Sequence, residues 1–331
     1  MKTLITGADG VLGSNLVREL LNRNYKVTVF LEKGKESPTL NDLPIVKHHG
    51  DILIAEDLNQ AMAGMDIVIH CAACTAVWPS RAEFIRDVNI RGTRNVIDAC
   101  IENDIQRLIY VGTANSFGFG TLTDPGNEFQ PYRSEQYGLD YMDSKFMAQQ
   151  VVLAAVEERG LPAVVVNPTF MLGAYDSTPS SGAMIKAVAE GKVPGYTSGG
   201  KNFVYVGDVA IGIANAIEHG KIGECYILGN ENLSYKDAFK KIAQVVRAKI
   251  PRKRVPALAV KFYGLGSSIF AKIFRYKPTC SFRMAKVSCD EHYYSSKKAI
   301  SDLHLPQTPI EQGIKECFEW LAINGHIKTV K

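Results

Sequence analysis

The sequence predicts an α/β fold: a doubly wound parallel sheet, followed by a smaller, mostly helical C-terminal substrate-binding region. Three observations lead there. Short apolar runs alternate with amphipathic stretches from residue 2 to residue 167. Several of those runs are apolar almost throughout, as strands covered on both faces require. The first run passes directly into a glycine turn and then a helix.

Taken in order, KTLIT (2–6) reads as a strand and VLGSNLVRELLNR (11–23) as a helix. KVTVFL (26–31) and PIVKHH (44–49) are strands, AEDLNQAMA (55–63) is a helix, and DIVIHCA (66–72) is a strand. A longer helix covers about 82–103, RLIYVG (107–112) is a strand, 137–159 is a helix and PAVVVN (162–167) is a strand. After Asn167 the rhythm breaks, and PTFMLGAYDSTPSSG reads as loop from its Pro, Gly and Ser content. NFVYV (202–206) and ECYILG (224–229) are strands with a helix after Asp208 between them, and a further helix covers 234–249. The expected division is a first unit at 1–167, with 202–229 returning to it. The segments 168–201 and 230–331 cover the substrate.

The chain has 331 residues, 46% hydrophobic and 22% charged, with a net charge of +4. That balance suits a soluble globular protein and is too mild to imply a nucleic-acid partner. Seven cysteines, an odd number, fit reduced thiols and a cytoplasmic location. Cys71 and Cys74 have redox or metal spacing, but no second pair accompanies them, so packing and no metal site is the expectation. No cleaved signal sequence and no membrane span is expected.

TGADGVLG sets Gly7, Gly10 and Gly13 between the first strand and the first helix. One glycine allows the tight turn, one lets backbone approach a pyrophosphate, and one lets helix and strand pack closely. The phosphates would sit at the positive helix end, flanked by Asp9, Val11 and Leu12. This is the Rossmann arrangement, and it predicts NAD(P)(H). After the second strand, FLEKGK offers Glu32 and Lys33. Glu32 comes first and would repel a ribose phosphate, which favours NAD; Lys33 and Lys35 keep NADP open.

From these residues onward the chain resembles the extended short-chain dehydrogenases/reductases of the NAD-dependent epimerase/dehydratase superfamily. The resemblance runs nearly end to end through TGADGVLG, HGDI (49–52), IHCAA (69–73), VNIRGTRNVIDAC (88–100), YVGTANSFG (110–118), YMDSK (141–145) and VVVNPTFMLG (164–173). The AVW loop and the NPTFMLG form are most similar to the dihydroflavonol-4-reductase-like branch. The resemblance implies that Asp51 and Ile52 meet adenine and that Cys71, Ala72 and Ala73 line the cofactor. It implies that Pro168 and Thr169 run beside the nicotinamide, although Pro168 could equally just end its strand.

It also implies a Tyr-x-x-x-Lys pair, Tyr141 and Lys145, one helical turn apart. A phenol of pKa about 10 would be lowered by Lys145 and by a positive nicotinamide, and would exchange a proton with a substrate oxygen. Tyr137, four residues earlier, would line the substrate mouth or pack. The family's tandem serines are replaced by Gly112 and Thr113, so Thr113 takes the hydroxyl role, with Ser116 as the alternative. Asn89 would support a water relay or make a helix-interior bond.

Trp78, Asn115, Phe117, Tyr137 and Phe170 lie on aromatic, apolar loops and are the expected substrate contacts. They suit a hydrophobic ketone or aldehyde, or the matching alcohol. A nucleotide-sugar epimerase with the same triad, and a non-catalytic cofactor-binding sensor or scaffold, are the competing expectations. By resemblance the helices at 82–103 and 137–159 form a homodimer interface. The segment 251–277 carries seven Lys or Arg and no Asp or Glu among apolar residues. It is expected either to cap the pocket or to touch an anionic membrane from the cytoplasmic side.

Overall fold

A computed structural model describes residues 1–327; residues 328–331 of the expected 230–331 segment lie outside the described residues. The first half comprises β1 (Lys2–Thr6), α1 (Val11–Asn22), β2 (Lys26–Glu32), β3 (Val46–Gly50), α2 (Ala55–Met62) and β4 (Ile67–His70). It continues with α3 (Glu83–Arg86), α4 (Gly92–Glu102), β5 (Arg107–Val111), α5 (Asp140–Arg159) and β6 (Ala163–Pro168). Then come β7 (Phe170–Leu172), α6 (Gly182–Ala189), β8 (Gly200–Tyr205), α7 (Val206–His219), β9 (Cys225–Leu228) and β10 (Glu231–Ser234). The chain ends with α8 (Tyr235–Val245), α9 (Ala257–Ile273), α10 (Phe282–Val287), β11 (Glu291–His292), α11 (Lys297–Leu303) and α12 (Ile310–Ile323).

Seven strands form one parallel sheet in the order β3-β2-β1-β4-β5-β6-β9. Alternate side chains leave on opposite faces. Ile5, Val29, Ile67 and Val164 join the core that includes Leu16 of α1 and Ile213 of α7. Leu4, Val68, Tyr110 and Val165 join the core that includes Leu58 of α2, Val96 of α4 and Val152 of α5. Both faces are therefore covered, which is why the strands read as apolar runs. The order reverses between β1 and β4, and a crevice opens at the carboxyl ends of the strands there.

Three expectations change in the structure. The stretch after Asn167 is not all loop: Phe170–Leu172 pairs with β8, and with β10 and β11 these strands build a second, four-stranded sheet. Gly200–Tyr205 therefore does not return to the main sheet, whereas Cys225–Leu228 pairs with β6 and does. The smaller region is still mostly helical, as expected, with α6, α8 and α12 contributing Ile185, Ile242 and Ile314 to its core beside that sheet. Lastly, the helix expected at 137–159 starts at Asp140. Gly138 has φ +63°, so Tyr137 ends a separate 3-10 turn (Ser134–Tyr137) and shares no face with Tyr141.

Candidate active site

The three glycines of the first turn have three separate causes. Gly7 has φ +68°, and a Cβ there would lie 2.6 Å from the Ala72 nitrogen. A Cβ at Gly13 would lie 2.3 Å from the Gly7 carbonyl oxygen, so the close approach of α1 to β1 forbids one. At Gly10 the nearest protein atom to an added Cβ is 3.6 Å away. Packing does not require that glycine; the position faces a cavity of about 610 Å³ at the α1 N-terminus. A backbone stripped of its side chain beside a helix N-terminus fits an approaching pyrophosphate.

Asp9, Val11, Leu12, Cys71, Ala72, Ala73, Pro168 and Thr169 line the same cavity, as do Thr113, Tyr141 and Lys145. Glu32, Lys33, Asp51 and Ile52 do not line it. The Glu32 side chain is 76% exposed, and its carboxylate lies 4.0 Å from the Lys35 ammonium. Lys33 is paired with Asp57 at 2.8 Å. The Asp51 carboxylate accepts from the Leu53 amide at 2.8 Å. Ile52 packs into the space left by Gly92. The cation at the cavity is instead Lys35, held 2.9 Å from Asp9 and followed by Ser37 and Thr39 in the lining. It lies three residues past the strand end and is one of the two lysines that keep NADP open.

The N-terminus of α5 is fixed firmly. The buried Asp140 carboxylate accepts from Arg81 at 2.6 Å and from the Ala82 amide at 2.7 Å. Arg81 also bridges to Asp143 at 2.6 Å, and Asp143 accepts from the Tyr132 hydroxyl at 2.6 Å. Acidic groups in a first helical turn suit the positive end of the helix dipole. This clamp sets the position of Tyr141 one residue later.

Burial raises the Tyr141 phenol above its ordinary pKa, and a hydrogen bond with Thr113 works the other way. The expected lowering is thus absent from the protein environment itself, because removal from water outweighs the hydroxyl contact. The phenol holds its proton at neutral pH. Lys145 is 4% exposed, and burial lowers its ammonium to about 8. It donates to the Val111 carbonyl at 2.7 Å and lies over the Tyr110 ring, 4.5 Å from its centre.

Thr113 caps the short turn after β5, where its hydroxyl accepts from the Asn115 amide at 3.3 Å. A side chain at Gly112 would collide with Asn167, whose Nδ2 would be 2.4 Å from the new Cβ. That nitrogen donates to Gln149 at 2.7 Å and to the Thr113 carbonyl at 3.1 Å. The glycine in place of a serine is thus a packing consequence, and the Asn167–Gln149 pair occupies the space. Ser116 is buried with no partner for its hydroxyl and lines neither cavity described here. Asn89 sits in a π-helical turn (Asp87–Arg91) between α3 and α4. Its amide donates to the Cys74 carbonyl at 3.0 Å and to Ser144 at 2.9 Å, and its oxygen accepts from the Cys74 amide at 2.7 Å. It fastens the Cys74 loop to α5.

Beyond Tyr141 a second cavity of about 1220 Å³ continues between the two regions. Asn115 and Phe170 line it; Trp78, Phe117 and Tyr137 do not. Phe117 packs with Ala114, Ile227 and Tyr294. Tyr137 is 1% exposed and donates to Asp290 at 2.6 Å, with His292 Nε2 3.2 Å away. Both are displaced from the cavity because their own neighbours enclose them. Val77 of the AVW loop lines the cavity, and the lining residues that sequence reasoning missed include Met284, Val287, Lys201, His292 and Tyr294. They come from segments with no local signature, and only the second sheet and α10 bring them here.

The model of the NAD dependent epimerase/dehydratase family matches residues 3–229. The chain belongs to that family. Along 98% of its length it is 32% identical to a putative dihydroflavonol 4-reductase from Synechocystis sp., covering 96% of that protein. It is 26% identical to sterol demethylase protein B from Methylococcus capsulatus, with 99% and 100% of the two chains covered. The crystal structure of gox2253 superposes with a TM-score of 0.87 at 31% identity, covering 98% of this chain and 99% of that one. The chain is thus an extended short-chain dehydrogenase/reductase similar to the dihydroflavonol-4-reductase-like branch. It is an NAD(P)-dependent oxidoreductase acting on a small molecule. Among the described residues no helix is long and apolar enough to cross a membrane.

Proposed function

We propose that the chain reduces a ketone or aldehyde carbonyl on a hydrophobic small molecule, or oxidises the matching alcohol, with Tyr141 as the acid/base. The observation that carries this reading is the position of Tyr141. It lines both cavities together with Thr113, and burial raises its phenol further above the neutral range. When bound, NAD(P)H would supply the hydride for reduction, and the oxidised cofactor NAD(P)+ would accept it in the reverse direction. The glycine turn and the α1 N-terminus would hold its pyrophosphate, and Cys71 to Ala73, Pro168 and Thr169 would enclose the rest. In reduction the Tyr141 hydroxyl donates its proton to the carbonyl oxygen, while Thr113 fixes that oxygen by hydrogen bonding. The phenolate left behind is stabilised by the Lys145 charge, which is present below a pH of about 8. In oxidation the same groups act in reverse.

The substrate class follows from the larger cavity. Val77, Met142, Phe170, Met171, Met284 and Val287 make much of its wall apolar. The names of the relatives, a flavonol-type reductase and a sterol-processing protein, agree with a bulky hydrophobic substrate. One observation favours a second reading, nucleotide-sugar epimerisation. The same wall contains Lys201 and Lys277 and no Asp or Glu, and those cations would suit a diphosphate. Incubation with NADH or NADPH and a panel of hydrophobic carbonyl compounds, beside UDP-sugars, separates the two. Consumption of reduced cofactor with carbonyls supports the reductase; interconversion of a UDP-sugar without net cofactor turnover replaces it.

The reading includes a homodimer through the outer faces of α3 to α5. Phe84 and Met147 are exposed there at 51% and 41%, and Arg86 lies 3.8 Å from the Met147 sulfur. A dimer mass in light scattering, lost in Phe84→Asp, is the expected result.

A further inference from the structure

A cluster of exposed apolar side chains lies on α9, outside the lining of the two cavities. Leu258, Phe262, Ile269, Phe270, Ile273 and Phe274 are each 50–66% exposed. At 3.6 residues per turn they occupy one broad side of the helix. The opposite side carries Gly264 and Ala271, both buried. A Cβ at Gly264 would lie 2.8 Å from the Ala285 methyl, so that side is pressed against α10. Among the described residues nothing covers the apolar side. A patch of this kind on a soluble protein marks a surface that meets something else.

The charge around it selects the occupant. Arg252, Lys253, Arg254, Lys261, Lys272, Arg275 and Lys277 border or flank the helix, and residues 251–277 contain no Asp or Glu. Among the described residues none of these seven cations lies within 4.0 Å of a carboxylate, whereas other exposed lysines and arginines of the chain do pair. Unpaired cations beside exposed aromatic and aliphatic side chains complement an anionic lipid headgroup layer with acyl chains beneath it. A second copy of the chain would bring the same positive charge against itself. The helix is 17 residues long, too short for a span, so it would lie along the interface. It is also next to the substrate cavity: Lys277, Pro278 and Thr279 follow α9 directly and line the cavity, as do Met284 and Val287 of α10.

We propose that α9 docks the protein on an anionic lipid bilayer, with the mouth of the substrate cavity at the headgroup layer. That the cavity then takes a lipid-borne carbonyl rests on the reductase reading above; the docking itself does not. The test is flotation of the full chain with phosphatidylcholine vesicles, with and without phosphatidylglycerol, at low and high salt. The expected result is flotation with the anionic vesicles at low salt, reduced roughly tenfold or more by high salt or by Arg252→Glu, Lys253→Glu and Arg254→Glu together. Phe262→Asp with Ile269→Asp is expected to abolish flotation. It leaves the melting temperature and the reduction of a water-soluble carbonyl unchanged, because neither side chain touches the cavity. Absence of flotation, or equal flotation of that double variant, overturns the proposal. So does a self-association that the double variant abolishes without vesicles, which would assign the face to a second copy. Flotation without any carbonyl reduction would instead overturn the reductase reading and leave the docking surface standing.

Discussion

The Lys145 ammonium donates to the Val111 carbonyl at 2.7 Å, at the end of the strand that leads into Thr113. The bond ties the α5 cation to the strand beside the Tyr141 pocket. Burial lowers this ammonium to about 8, so its charge is present below that pH and fades above it. Carbonyl reduction needs that charge to support the developing phenolate. We therefore expect kcat/KM for reduction to hold up to about pH 8 and to fall beyond it. Lys145→Met is expected to lower the rate and remove that inflection; a pH profile of both proteins checks it.

The glycine turn yields a paired prediction. Gly13→Ala forces a methyl to 2.3 Å from the Gly7 oxygen and is expected to lower stability by about 1–3 kcal/mol or more. Gly10→Ala meets nothing closer than 3.6 Å and is expected to fold normally while losing cofactor affinity. Thermal melts and NAD(P) titration of the two variants read these effects separately.

Cofactor choice is expected to depend on Lys35, which lines the cavity, more than on the exposed Glu32. Lys35→Ala should weaken NADP binding more than NAD binding, by roughly tenfold for one lost charged hydrogen bond. Glu32→Ala should move the ratio less. Titration of both cofactors against both variants is the check.

Two buried histidines set an acid limit. His70 and His292 are each held near a pKa of about 3, mainly by burial, with Lys145 and Lys201 respectively adding repulsion. Unfolded, they protonate near 6.5, so the folded state binds fewer protons and stability falls as pH drops through that value. Each contributes a loss on the order of 2 kcal/mol between pH 6.5 and 5. The stability difference between pH 7 and pH 5, from urea unfolding, is expected to shrink by about that amount in His292→Gln.

The alternating sheet was legible because doubly covered strands are apolar on both faces and their period differs from that of the helices. The cofactor turn was legible because local geometry needs Gly7 and Gly13, while Gly10 leaves backbone open to the cavity. The substrate wall was not. Lys201, His292 and Met284 reach the cavity through a second sheet and a short helix far apart in sequence, and no local pattern marks that. Tyr137 was placed beside Tyr141 by four-residue spacing, a rule that holds only on a continuous helix, and Gly138 interrupts it. Of Glu32, Lys33 and Lys35, the three charges that follow the strand in sequence, the loop carries only Lys35 to the cavity.

The central claim is that Tyr141 moves the proton. The direct measurement compares Tyr141→Phe with Tyr137→Phe in single-turnover carbonyl reduction at saturating cofactor. Tyr141→Phe keeps the ring and its packing but removes the hydroxyl, and is expected to lower the rate by roughly 10²–10⁴ with cofactor binding unchanged. Tyr137→Phe, whose hydroxyl is given to Asp290, is expected to lose some stability and little rate. A Tyr141→Phe rate within a few fold of the parent protein, or equal losses in the two variants, would contradict the account.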